Sequence, residues 1–124
     1  MEQIVYESLT ELKGYLLRLI KGIEDAVNYF RSQREDEGLK LLIPIIEGMQ
    51  WSIEVVFKTK SVFETNGTDI DEEKTINLLK ELVEALENQD YVLIADLLEY
   101  EVLDILKTWE DALNKVKELN RDEG

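Results

Sequence analysis

Apolar residues recur at steps of three and four along most of this 124-residue chain, and very little interrupts them. That rhythm places side chains on one side of an α-helix. Proline occurs once and glycine six times, so few positions can break a helix. The chain therefore reads as all-α, and its length suits one domain over 1–124.

Four stripes set the expected elements. Leu9, Leu12, Leu16, Leu19, Ile23, Ala26 and Phe30 predict a helix over about 4–32. Gly14 and Gly22 lie inside it, each costing about 1 kcal/mol relative to alanine. The polar run Gln33–Gly38 reads as the first connection. Leu39, Leu42, Ile43, Ile46, Met49, Ile53 and Phe57 predict a second helix over about 39–63, with Pro44 either just inside its start or at a kink. Glu64–Thr68 reads as a loop.

Ile76, Leu79, Val83 and Leu86 predict a third helix over about 70–88. Its N-terminus is rich in acids, and Asp69 with Glu72 resembles a capping box. Asp90 reads as the N-cap of a fourth helix over about 90–119. That helix has the stripe Ile94, Leu98, Val102, Ile105, Trp109, Ala112, Val116 and Leu119. Asn120–Gly124 reads as a frayed tail. Helices joined by such short links pack most simply as an antiparallel up-down four-helix bundle.

Composition removes several chemistries. There is no cysteine and no histidine. Disulfides, thiolate metal sites, cysteine nucleophiles and serine–histidine catalysis are excluded. No metal and no other cofactor is expected. Charged residues make up 34% of the chain and no long uncharged apolar run occurs, so no spanning helix is expected. The start shows no signal-peptide pattern, which points to the cytoplasm.

The net charge is −14, and it is lopsided. Residues 1–62 carry 10 acids and 8 bases, whereas residues 63–124 carry 18 acids and 6 bases. Such a field argues against nucleic acid and against anionic membrane surfaces as partners. The plainer role of the acids is solubility.

Three constellations stand out. Glu101 falls beside the apolar stripe of the fourth helix, where it would be semi-buried. With Glu47 or Glu54 from across the bundle it would make a carboxylate pair for acid–base work or a hard cation. The plainer reading is a flank residue paired with Lys or Arg. The acidic loop Asn66–Glu73 places oxygen ligands at alternate positions, but the calcium-loop pattern fails because Asp71 stands where glycine is needed. Trp51 is the third. On a helical wheel it points about 140° from the stripe centre, with Gly48, Ser52 and Val55 on the same outer side. Small residues beside a tryptophan suit an approaching partner helix. Leu93, Leu97, Tyr100 and Leu103 also lie off their stripe and make a second apolar patch.

The segment from Leu82 to Glu101, LVEALENQDYVLIADLLEYE, resembles a stretch of uncharacterised helical-bundle proteins of Gram-positive bacteria, a domain of unknown function. Ile46-Glu47-Gly48-Met49-Gln50-Trp51 is similar to their earlier helix. That resemblance implies a helical fold and no assigned activity, so it transfers no catalytic residue. Small acidic export chaperones of flagella are similar in size only, which is an analogy of fold.

These readings lead to a non-enzymatic cytoplasmic helical interaction module, homodimeric or chaperone- or adaptor-like. Its expected partner is itself or another helical protein. The expected interface residues are Gly48, Trp51, Ser52, Val55, Leu93, Leu97 and Tyr100. The alternative is a carboxylate-based or metal-dependent enzyme centred on Glu101 with Glu47 or Glu54.

Overall fold

The structure is a computed structural model and describes residues 1–121. Every regular element among the described residues is helical. Helix α1 spans Gln3–Arg31, α2 Glu35–Lys58, α3 Lys60–Thr65 and α4 Glu72–Glu87. Then α5 (Tyr91–Asp96) runs through a π-helical turn (Leu97–Val102) into α6 (Leu103–Asn114). A short 3-10 turn covers Lys117–Asn120.

The stripe of α1 is buried throughout, from Leu9 to Phe30. It packs on α2 along one flank and on α5 and α6 along the other, and α4 packs on α5 and touches α2. Phe30 stacks on Tyr91 with ring centroids 6.1 Å apart, tying the end of α1 to the start of α5.

The first connection is shorter than the polar run suggested: only Ser32–Arg34 lie outside helices. Gln33 supplies the reversal with φ 60. Glu35, Asp36 and Glu37 fill the first turn of α2, where the helix dipole favours negative charge. Gly38 is no breaker here, because a Cβ would press into the Phe30 ring.

Helix α2 continues through Pro44. It ends earlier than expected, at Lys58 rather than Phe63. The Thr59 hydroxyl donates to the Val55 carbonyl at 2.7 Å and competes with the helix ladder. Its core residues are also displaced. Ile45 and Val56 are buried, Leu39 and Phe57 are half-buried, and Ile43 is 53% exposed.

In α4 the expected stripe Ile76, Leu79, Val83 and Leu86 is a flank, and Ile76 is exposed. The buried side is Thr75, Leu78, Leu82 and Ala85. Both sets have helical spacing, and small Thr75 and Ala85 let neighbouring helices come close. The N-cap is Asp71, whose carboxylate accepts from the Lys74 N–H at 3.0 Å, so the capping box at Asp69 does not form. Asp90 caps α5 as expected, accepting from the Leu93 N–H at 3.1 Å.

Of the fourth stripe, Ile94, Leu98, Val102, Trp109, Ala112 and Val116 are buried, while Ile105 and Leu119 are half-buried. A π turn adds one residue to a helix. After it the buried residues are Leu103, Leu106, Trp109, Ala112 and Leu113, while Ile105 is half-buried. Helix α6 stops at Asn114, short of the expected Leu119. The Asn120 amide donates to the carbonyls of Leu113, Asn114 and Val116 at 3.1, 3.0 and 2.7 Å, covering the helix end. Asn120 is thus fastened rather than frayed, Arg121 after it is exposed, and residues 122–124 lie outside the described residues. Among the described residues no helix is long and apolar enough to cross a membrane.

Candidate functional site

A groove runs along the outside of α1 and α2. It is walled by charged and aromatic side chains that lie off each helix's buried stripe. On α1, Glu11, Tyr15, Arg18 and Gly22 follow one another at steps of four, three and four, off the buried stripe. On α2, Pro44, Glu47 and Trp51 do the same. The part near Trp51 is a hollow of about 380 Å³. It continues into a hollow of about 200 Å³ floored by Leu19, Leu41 and Ile45. Tyr15, Arg18 and Pro44 border both.

The aromatic end is locked by close packing. The Tyr15 and Trp51 rings meet edge to face, with centroids 5.3 Å apart and planes at 81°. The Arg18 guanidinium carbon lies 5.5 Å from the Tyr15 centroid, a cation–π contact. Trp51 is half-buried, while Glu11, Arg18, Pro44 and Glu47 are exposed. Pro44 also has no N–H to give the Lys40 carbonyl.

The expected interface residues divide. Trp51 and Val55 are half-buried and accessible. Gly48 and Ser52 are buried. They do not form an outer small-residue face: a Cβ on Gly48 would collide with the Tyr15 hydroxyl and crowd Leu19, so that position serves the internal contact with α1. Ser52 is completely buried, and its Oγ has no hydrogen-bond partner among the described residues. Leu93 and Tyr100 are 40% and 65% exposed. Leu97 and Leu103 are core residues: Leu97 follows Ile94 at helical spacing, and the π turn swings Leu103 inward. Beside that turn, Arg31 holds Asp96 at 2.8 Å and Glu99 at 3.3 Å, and its guanidinium lies over the Tyr100 ring.

The three expected carboxylates do not meet. Glu101 is exposed rather than semi-buried. It lines an open hollow of about 350 Å³ with Asp71, Glu73, Lys74 and Glu81. Glu47 belongs to the α1/α2 groove. Glu54 bonds Lys58 at 2.8 Å, and that bond holds its carboxyl below the usual glutamate range. No set of three or more carboxylates among the described residues is arranged to hold a metal ion.

The inward-facing sequence reading missed Glu11, Tyr15, Arg18 and Pro44. A second, off-stripe period on α1 was the signal available for the first three.

The model of the family described as Domain of unknown function (DUF8042) matches residues 7–112. The chain belongs to that family. The DUF8042 match includes both walls of the groove and the whole π turn, and it ends before the 3-10 turn at Lys117–Asn120. No curated protein and no solved structure matches the chain.

Proposed function

We propose that this DUF8042 chain is an up-down four-helix bundle that works as a non-enzymatic, cytoplasmic interaction module. Its partner is itself, as a homodimer, or another helical protein. The Gram-positive bacterial resemblance of Leu82–Glu101 belongs to the same reading. The observation that carries it is the solvent-open α1/α2 groove with half-buried Trp51 at one end. Surface tryptophans that keep one apolar face accessible are frequent anchors of protein interfaces. Trp51 and Val55 supply the apolar area, and Leu93 with Tyr100 makes a second, smaller patch.

An enzyme centred on Glu101 has less support. Its hollow is open and its carboxylates are exposed, so nothing desolvates a reacting group there.

Sedimentation of the wild type and of Trp51→Glu, alone and with candidate helical partners, tests the module. A central anchor is worth about 2 kcal/mol or more, so the variant is expected to weaken association by roughly 30-fold. Association that ignores Trp51 and also ignores Tyr100→Glu would sink the reading.

A further inference from the structure

We infer that the α1/α2 groove seats an amphipathic helix of another protein, about three turns long, whose basic flank lies over Glu11 and Glu47. This rests on the interaction-module reading and names the partner chemistry of that same surface.

Shape is the first argument. Residues early in α1 face residues late in α2: Glu11 and Tyr15 share one hollow with Trp51, and Gly22 shares the other with Leu41. Both walls are continuous helical segments, so the groove follows their length. From Glu11 to Gly22 the rise along α1 is about 17 Å, the length of roughly three helical turns. A third helix nests naturally between two others, with its side chains entering at steps of three and four.

The lining is the second. Leu19 and Ile45 make an apolar floor, and nothing lies within 4 Å of a Cβ built on Gly22. A leucine or isoleucine of the incoming helix fits that end. Trp51 and Tyr15 offer ring faces and edges at the other.

Charge selects the occupant. Glu11 and Glu47 are exposed at the aromatic end, and neither makes an ion pair among the described residues. Arg18, the base bordering the groove, sits against Tyr15. Lysine or arginine on the partner would complete the two glutamates, and the net charge of −14, carried mostly by residues 63–124, draws a basic partner to the molecule as a whole. A second copy of this chain brings the same net charge with it.

The test uses the full chain as bait for a phage-displayed library of amphipathic helices about 14 residues long, with fixed leucines on one face and randomised flanks. Selected peptides are expected to carry Lys or Arg along one flank. Trp51→Ala should weaken them at least about tenfold. The double variant Glu11→Lys, Glu47→Lys, whose positions are exposed and whose fold is checked by circular dichroism, should reverse the flank preference to Asp and Glu. That reversal does not depend on Trp51 being dispensable for folding. Selected peptides without a basic flank, or a preference unmoved by the double variant, would overturn the inference. A wild type that sediments as a Trp51-dependent homodimer and selects no helix overturns the heterologous helix but leaves the interaction module standing. A monomer that selects nothing overturns both.

Discussion

The Tyr15 hydroxyl rests against the backbone of α2 at Gly48, where a Cβ would have no room. That contact explains two things together. It sets how closely α1 and α2 approach, and it tilts Tyr15 so that its ring meets Trp51 edge-on.

Gly48→Ala is therefore expected to destabilise the fold. Alanine gains about 1 kcal/mol in helix propensity, but overpacking against Tyr15 and Leu19 costs about 1–3 kcal/mol. Gly22→Ala, at a position with nothing within 4 Å of the new Cβ, should instead stabilise by about 0.5–1 kcal/mol. Urea denaturation of both variants checks the opposite signs. Equal effects would mean that the Gly48 contact does not form.

Ser52 makes a different kind of contact. Its hydroxyl is fully buried without a partner, and an unsatisfied buried group costs about 1–3 kcal/mol. Ser52→Ala removes the hydroxyl and keeps the small volume that the helix contact needs. The variant is expected to be more stable by about 1 kcal/mol. A clear loss of stability would show that the hydroxyl has a partner in solution.

The sequence was most readable in α1, where one apolar stripe keeps its spacing from Leu9 to Phe30 while its neighbours are interrupted by charged residues. Leu9, Leu12, Leu16, Leu19, Ile23, Ala26 and Phe30 are all buried as their spacing required. It was ambiguous in α4, where Leu78 and Leu79, or Leu82 and Val83, are adjacent and either set makes a stripe. Only the neighbours' positions decide which is inside. Ile43 stayed exposed for a similar reason, with Ile45 and Ile46 both turned inward. The partner of Gly48 was unreadable because Tyr15 is distant in sequence, and a glycine's spacing does not reveal what approaches it. The groove was half legible. Trp51 announced itself by pointing away from its stripe, whereas Tyr15 and Arg18 resembled ordinary surface residues until α2 was placed beside them.

Glu54 and Lys58 give a pH test. The lysine hydrogen bond lowers the Glu54 carboxyl from its ordinary value of 4.5. A lowered folded-state value means that the pair's contribution is present above the ordinary value and is lost as pH falls through the lowered one. The pair is exposed, so the expected effect on overall stability is slight. Carbon-13 titration of the Glu54 carboxyl should give a midpoint below 4.5. Lys58→Ala should move that midpoint upward, and an unmoved midpoint would remove the cause assigned here.

The π turn yields a prediction that an ordinary helix would fail. Up to Leu98 the buried positions follow one α-helical phase, and from Leu103 they follow a phase shifted by one residue. If Leu97–Val102 holds one extra residue, removing an exposed residue from it restores a regular α-helix and leaves Leu106, Trp109 and Leu113 facing the core. Deletion of Tyr100, 65% exposed, should therefore be tolerated. The loss should be about 1 kcal/mol, chiefly the contact with Arg31. Deleting Lys107, which is exposed but lies in the regular part of α6, makes the control. It rotates every following residue by about 100° and turns Trp109, Ala112 and Leu113 off the core. That variant should lose cooperative unfolding while the Tyr100 deletion keeps it. Thermal melts followed by circular dichroism distinguish the two, and equal damage from both deletions would refute the extra residue in the π turn.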